Sequence, residues 1–269
     1  MDASKWQSLG WRHPVWDLVR YYLSLRGNKA DEWLTQLRET KEMTVGEADA
    51  IPIAHEIIEH FFNYLADRKE VFNKLFKMLR SEKQALAYCT NNGICVTRTI
   101  TKNRDHHQSS KAIVATVNHE VQKLCSKHRI TFNPNPQTRC AWCRNNKFHV
   151  TSRNVDGAIP AVANPLIIWE IKEYWGKTGG GSKMSDAVYE CNLVGRELRE
   201  FEEQVKTKIY HLVFLDGQEQ WATRKSDLKR FIDLTNQGLI DFLIVGKEVE
   251  TDLPALLERL LNLVNLVSI

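Results

Sequence analysis

Apolar residues recur at intervals of three and four through most of the first 90 residues. Phe72, Leu75 and Leu79 illustrate this spacing, which places side chains on one face of an α-helix. The pattern predicts an N-terminal all-helical region over residues 1–90. Four of the eight tryptophans lie within the first 33 residues. This position favours a packed aromatic core over a surface that stacks on nucleic-acid bases.

From residue 91 onward, short apolar runs alternate with segments of helical spacing. Strands are predicted at 94–100, 166–172, 209–215 and 240–245, and helices at 110–127, 185–206, 226–236 and 253–266. Strands that alternate with helices at this spacing favour an α/β fold with a mixed central sheet flanked by helices. The chain is therefore divided into a helical region over 1–90 and a core over 91–269.

Two charged residues, Glu170 and Lys172, lie at the end of the apolar run that begins at Leu166. Because side chains alternate between the two faces of a strand, both project to one face, while Trp169 and Ile171 point to the other. Burying an unpaired charge is costly. The charged face is therefore expected to carry chemistry, and the other face to pack.

A second carboxylate, Asp156, precedes a glycine and is expected to end an earlier strand beside Glu170. Together with the Ile171 carbonyl, the two acids would form an all-oxygen site suited to Mg²⁺. Lys172 would lie next to the ion, where a lysine can orient the attacking water, help to deprotonate it, or stabilise negative charge on a phosphate.

The order Asp156, Glu170, Lys172 resembles the acid, acid and lysine of the PD-(D/E)xK superfamily of restriction-endonuclease-like nucleases. Val155 occupies the position of the motif's proline. The resemblance covers roughly residues 148–250. It implies a restriction-endonuclease-like core and a Mg²⁺-dependent endonuclease that hydrolyses DNA, with a role in restriction or in defence against foreign DNA. The family also uses an auxiliary acid on an earlier helix, and Glu56, Glu59 and Glu120 are the candidates here.

Other interpretations of the same residues remain open. Glu170 and Lys172 could be a structural ion pair within a strand, and Asp156 could be an ordinary turn residue. The protein would then be a catalytically inactive, zinc-containing protein that binds nucleic acid. A nuclease of the same fold could also act on RNA, or nick DNA during repair.

Two chelating pairs, Cys125 with His128 and Cys140 with Cys143, have the spacing of a zinc knuckle over residues 125–149. His149 is an alternative fourth ligand. Structural Zn²⁺ would stabilise a segment that has few apolar residues of its own. Without a metal, Cys125 would simply be a buried helix residue.

The whole chain carries a formal charge of +4, but residues 98–147 contain ten basic and two acidic residues, a net charge of +8. Such a concentration next to a phosphodiester-cleaving site indicates contact with the DNA backbone. A solvated basic surface is the alternative. The residues expected to contact DNA are Arg129, Arg139, Arg144, Lys147, Lys177 and Lys183.

A hydrophobic content of 43% and a charged content of 26% are ordinary for a globular protein. The sequence has no apolar run long enough to span a membrane, and its N-terminus lacks the layout of a signal peptide. We therefore expect a cytoplasmic protein without membrane partners, whose six cysteines are reduced. A homodimer or a larger defence complex is compatible with the nuclease interpretation.

Overall fold

The computed structural model describes residues 3–46, 48–98, 109–176 and 181–267. Its N-terminal elements are α1 (Ser4–Gln7), α2 (Val15–Ser24), α3 (Asn28–Thr40), β1 (Glu42–Met43), β2 (Ile51–Pro52), α4 (His55–Met78) and α5 (Glu82–Asn91). The prediction of an all-helical N-terminal region is wrong in one respect. Strands β1 and β2 pair as a short antiparallel sheet between α3 and α4.

The elements of the remaining chain are α6 (Ala112–His128), β3 (Ala141–Arg144), β4 (Lys147–Val150), β5 (Gly157–Ile159), β6 (Ile167–Glu173), α7 (Gly181–Val205), β7 (Tyr210–Asp216), α8 (Gln218–Thr223), α9 (Lys225–Asn236), β8 (Phe242–Val245), α10 (Glu248–Thr251) and α11 (Leu253–Val267). All four helices predicted in this part of the chain are confirmed, as are the three strands that correspond to β6, β7 and β8.

The strand predicted at 94–100 is wrong over its described part. Residues 94–97 have no strand structure, and Arg98 forms only an isolated bridge with Ser110. The buried Ile94 instead packs against Cys89 and Trp175. Residues 99 and 100 lie outside the described part of the chain.

The central sheet has the strand order β5, β6, β7, β8. Strands β6, β7 and β8 are parallel, whereas β5 pairs antiparallel with β6. The predicted mixed α/β sheet is therefore confirmed. Parallel strands need crossover connections, and these are supplied by α7 between β6 and β7 and by α8 and α9 between β7 and β8.

Helices cover both faces of the sheet. Helices α6 and α11 pack on one face, against residues such as Ile167 and Trp169 of β6, and we call this the α6 face. Helices α7 and α9 cover the other face, where Ile168 and Val213 are buried, and we call this the α7 face. The alternation of side chains along β6 thus assigns Glu170 and Lys172 to the α7 face.

The N-terminal helices pack directly on this core. Helix α4 contributes Phe61 and Tyr64 to an aromatic cluster with Trp6, Trp16 and Trp33, and its last residues join the core cluster that contains Val213. The tryptophans at positions 6, 16 and 33 are therefore packing residues, as expected. Residue 90 does not mark a break in the packing. No helix among the described residues is long and apolar enough to cross a membrane.

Candidate functional site

The candidate site is centred on β6, on the α7 face of the sheet. Glu170 and Lys172 are almost fully buried, with 1% and 7% of their surfaces exposed. Lys172 Nζ lies 2.6 Å from Glu170 Oε2. The prediction that both side chains project to one face of the strand is confirmed by this contact.

Asp156 lies beside them, but the prediction that it ends a strand is wrong, because it lies immediately before the start of β5. Its backbone N–H donates to the Trp169 carbonyl at 2.9 Å, and its Oδ2 accepts a hydrogen bond from the Ile171 N–H at 2.7 Å. The N–H and C=O of one strand residue point to the same side of the strand. The Ile171 carbonyl therefore also points to the side of β6 on which Asp156 lies.

Gly157 allows this close approach of β5 and β6. It pairs with Trp169 in the antiparallel register. A Cβ atom at position 157 would lie 1.9 Å from the Trp169 ring, so the indole can cover this backbone only when residue 157 is glycine. Gly157 thus has a packing role within β5, and not the turn role expected of it.

Two further charged residues, which the sequence analysis did not select, complete the site. Glu190 on α7 accepts a hydrogen bond from Lys172 Nζ at 3.0 Å and also pairs with Arg153. Lys172 is therefore held between two carboxylates. The sequence pattern predicts that Glu190 lies on a helix. Whether its side chain reaches β6 depends on how that helix packs on the sheet.

The electrostatics of the site keep its central pair ionised. Burial would raise the pKa of Glu170, but the neighbouring ammonium of Lys172 outweighs this effect and lowers the pKa to about 2. Burial would likewise lower the pKa of Lys172, but the Glu170 carboxylate raises it to about 12. The pKa of Asp156 is raised because the surrounding protein removes water from a carboxyl group that still reaches the surface.

A family model for a domain of unknown function, DUF7687, matches residues 65–260. This range is well over half of the chain. The chain belongs to the DUF7687 family. No curated protein and no solved structure matches it.

The matched range contains every residue of the candidate site, from Asp156 to Glu190. It also begins inside α4 rather than at residue 91. This start agrees with the packing of the DUF7687 core, because Leu75 of α4 and Leu79, which follows the helix, are buried in the same cluster as Val213 of β7.

The predicted zinc knuckle is not formed in the structure. Cys125 is buried on the α6 face, whereas Cys140 is buried on the α7 face. His128 Nε2 lies 3.0 Å from Glu258, and Cys143 is exposed. Among the described residues, no three of the four predicted ligands have their donor atoms within 4.8 Å of one another. The pairs are separated because the sheet itself lies between them.

The alternative zinc ligand, His149, packs as an aromatic residue. Its ring stacks on Trp142 and Phe201, with centroid separations of 5.6 and 5.2 Å. Burial lowers the pKa of His149. The segment over residues 125–149 thus derives its order from this stacking and from the strand pair β3 and β4.

The residues predicted to contact DNA are distributed over several surfaces. Arg139, Arg144 and Lys147 lie on or next to the β3–β4 hairpin, and we call these three residues the basic hairpin. Arg129 follows α6 in a left-handed conformation with φ of 57°, at the end of a helix that packs on the other face of the sheet. Lys183 is exposed near the start of α7, and Lys177 lies outside the described residues.

None of the three acids considered as an auxiliary ligand lies at the site. Glu56 and Glu59 pair with His60 and His55 at the start of α4. Glu120 lies on α6, which packs on the α6 face. Glu190, on the helix after the triplet rather than before it, is the additional acid that contacts the site.

Glu173 lies at the end of β6 and makes the free energy of unfolding of the protein depend on pH. Its Oε1 accepts hydrogen bonds from the Ile113 N–H at 2.9 Å and from Trp175 Nε1 at 2.7 Å. Burial nevertheless raises the pKa of Glu173 from 4.5 to about 7. Between these values the folded protein binds a proton that the unfolded chain releases, so this contribution to stability is lost as pH rises from about 4.5 through 7.

We therefore expect Glu173→Gln to reduce the dependence of stability on pH between pH 5 and 8. Relative to wild type, the variant should gain free energy of unfolding as pH rises, by an amount of the order of 3 kcal/mol at most. Urea unfolding of both proteins across this pH range measures the difference. A difference that does not change with pH would contradict the assignment.

Proposed function

We propose that this protein is a metal-dependent endonuclease that hydrolyses phosphodiester bonds of DNA, with a restriction-endonuclease-like core. The observation that carries this proposal is that Asp156, Glu170 and Lys172 lie next to one another around β6. Asp156 is fixed by the Ile171 N–H, and Lys172 by two carboxylates. A role in restriction or in defence against foreign DNA rests on the resemblance alone.

The donor set fits Mg²⁺. This ion takes hard oxygen ligands and usually binds through one or two carboxylates together with waters and phosphate oxygens. Asp156 reaches the protein surface, so a phosphate could approach it. Asp156, Glu170 and the Ile171 carbonyl would hold the ion, which when bound would polarise the phosphate and lower the pKa of a bound water.

The positive charge of Lys172 excludes one of the three roles expected of it. With a pKa of about 12, the side chain is an ammonium at neutral pH and cannot accept a proton from water. It can still donate a hydrogen bond that orients the water, and it can stabilise negative charge that develops on the phosphate. The electrostatics therefore favour these two roles over that of a general base.

The distance between the basic hairpin and the candidate site would allow one DNA duplex to contact both. Asn145, at the tip of the hairpin, donates a hydrogen bond to the Val205 carbonyl at the C-terminal end of α7. Val205 lies fifteen residues beyond Glu190 on this helix, a separation of about 22 Å at 1.5 Å per residue. One DNA strand covers this distance in about six or seven nucleotides at roughly 3.4 Å each.

A catalytically inactive protein that binds nucleic acid is the second candidate function. The observation that favours it is the burial of the Glu170 and Lys172 pair, which is how a structural ion pair would appear. The two candidates differ in whether Asp156 and its neighbours bind a metal ion and turn over substrate. Both require a nucleic-acid surface, so binding alone does not separate them.

A panel of nucleic acids tests the proposal. Purified protein is incubated with double-stranded DNA, single-stranded DNA and RNA, each with Mg²⁺, with Ca²⁺ and with a chelator. We expect cleavage of DNA with Mg²⁺, binding but little turnover with Ca²⁺ because of its looser coordination sphere, and no cleavage with chelator. Cleavage of RNA alone identifies a ribonuclease. Binding without cleavage of any substrate supports the inactive protein and contradicts the nuclease.

The basic hairpin gives a separate prediction about salt. Replacing Arg139, Arg144 and Lys147 with Gln should weaken DNA binding and flatten its salt dependence. Each phosphate contact that is lost lowers the slope of log affinity against log salt by about 0.9 on duplex DNA. Fluorescence anisotropy at several salt concentrations measures both quantities.

The matched control neutralises three exposed lysines on α4, Lys69, Lys74 and Lys77. It removes the same charge from a different surface, so it should leave the slope nearly unchanged. If the hairpin variant keeps the wild-type slope while the α4 variant loses it, DNA binds on the N-terminal helices instead.

A further inference from the structure

A second group of metal-binding side chains lies beneath the candidate site. Glu170, Cys191 and His211 each offer one donor atom, and the three atoms lie within 4.8 Å of one another. Each residue is at most 1% exposed. Among the described residues, this is the one group of three or more histidine, cysteine or acidic side chains that meets this distance.

The hydrogen bond made by His211 identifies which ring nitrogen faces the group. Nδ1 lies 3.0 Å from the Leu239 carbonyl oxygen. A carbonyl oxygen can only accept, so Nδ1 carries a proton and donates it. Nε2 then faces Glu170. A histidine that ligates a metal typically donates its other ring N–H to a backbone carbonyl in this way.

The carboxylate of Glu170 faces two different partners. Its Oε2 pairs with Lys172 at 2.6 Å, whereas its Oε1 lies 3.8 Å from His211 Nε2. That distance is too long for a hydrogen bond. Glu170 Oε1 and His211 Nε2 are both buried without a hydrogen-bond partner, and leaving buried polar atoms unsatisfied is costly.

We propose that Glu170 Oε1, Cys191 Sγ and His211 Nε2 bind one transition-metal ion of the Zn²⁺ class, at a site separate from that of the Mg²⁺ ion. A carboxylate, a thiolate and an imidazole are together the ligands of a borderline-soft metal, not of Mg²⁺. A tetrahedral ion with ligands at about 2.0–2.3 Å holds neighbouring donors roughly 3.3–3.6 Å apart. Glu170 and His211 need to approach by only a few tenths of an ångström.

Such an ion would connect the parts of the fold that build the candidate site. It would join β6 through Glu170, α7 through Cys191 and β7 through His211. It would also fix the orientation of the Glu170 carboxylate, so that Oε2 stays directed at Lys172. The site goes beyond the proposed nuclease activity and shares one residue with it. Without a metal, Glu170 Oε1 would instead face the Cys191 thiol and the His211 ring directly.

Cobalt substitution tests the proposal without an activity assay. Metal-depleted wild-type protein is titrated with Co²⁺, and the charge-transfer absorption from thiolate to cobalt is followed in the near ultraviolet. We expect the band to saturate at one equivalent per chain. It should be absent in Cys191→Ser, and the affinity for Co²⁺ should fall at least tenfold in His211→Gln.

Two control variants test whether the absorption band comes from the proposed site. Cys140→Ser removes another buried cysteine of the α7 face. Asp156→Asn changes one of the proposed Mg²⁺ ligands but none of the three residues of the second group. Both variants should therefore keep the band. The proposal is overturned if folded wild-type protein gives no band, or if Cys140→Ser abolishes it. Should Cys191→Ser fail to fold, a band of wild-type affinity in folded His211→Gln would overturn it equally. Failure of the nuclease proposal would leave these spectra unchanged.

Discussion

Asp156→Asn is expected to lower the rate of Mg²⁺-dependent DNA cleavage by about 10²–10³-fold. A metal ion contributes several kcal/mol to the stabilisation of the transition state, and each 1.36 kcal/mol corresponds to a factor of ten in rate. Asparagine preserves the shape and can still accept the hydrogen bond from the Ile171 N–H, but it removes the charge that holds the ion. Single-turnover cleavage of a labelled duplex measures the loss.

Glu170→Gln and Lys172→Met should reduce the rate by a similar factor. Both changes also disturb a buried ion pair, so urea unfolding and circular dichroism must show that each variant is folded. Glu70→Gln is the control, because Glu70 is an exposed acid that pairs with Lys74 on the same helix. If any of the three variants is folded and cleaves at the wild-type rate, that residue has no part in the mechanism.

Asp216→Asn should be strongly destabilising. Asp216 ends β7 and is fully buried, and it accepts hydrogen bonds from the Arg80 N–H and the Arg80 guanidinium at 2.8 and 2.7 Å. Removing one partner of a buried ion pair typically costs about 3–5 kcal/mol. Arg80 keeps Glu250 as a second partner, so we expect a loss at the lower end of this range, about 3 kcal/mol. The free energy of unfolding in urea measures this cost.

The same Glu70→Gln variant provides the contrast. It breaks an ion pair on α4 whose side chains are 73% and 67% exposed, and pairs of this kind contribute about 0.3–0.5 kcal/mol. The contact between Arg80, which follows α4, and Asp216 of β7 is expected to help hold the N-terminal helices on the core. If Asp216→Asn loses as little free energy of unfolding as Glu70→Gln, the contact has no such role.

The secondary structure could largely be predicted because it follows from local patterns. The run from Leu166 to Trp169 is apolar and short, and the helices around it have clear helical spacing. Alternation along β6 was sufficient to place Glu170 and Lys172 on one face, and the contact between them confirms that placement. Asp156 was expected at the end of a strand, whereas it precedes β5, because Gly157 starts a strand that pairs closely with Trp169.

The remaining parts of the site depend on tertiary packing, which local sequence patterns do not predict. Glu190 and Cys191 reach the sheet only because α7 crosses the α7 face at a particular rotation. The same limit explains the error over the zinc knuckle. Cys125 and Cys140 have suitable spacing in the sequence, yet the sheet separates them. The strand predicted at 94–100 is wrong over its described part because Ile94 and Val96 pack with residues of α5 and with Trp175.

The central claim is that Asp156, Glu170 and Lys172 form a metal-dependent phosphodiesterase site. The most direct measurement compares wild-type protein and Asp156→Asn, purified in the same way, on labelled duplex DNA with Mg²⁺ and with a chelator. The account predicts that wild-type protein cleaves only with Mg²⁺ and that Asp156→Asn cleaves about 10²–10³-fold more slowly under the same conditions. Wild-type protein that cleaves no DNA with Mg²⁺, or cleavage by folded Asp156→Asn at the wild-type rate, would contradict it.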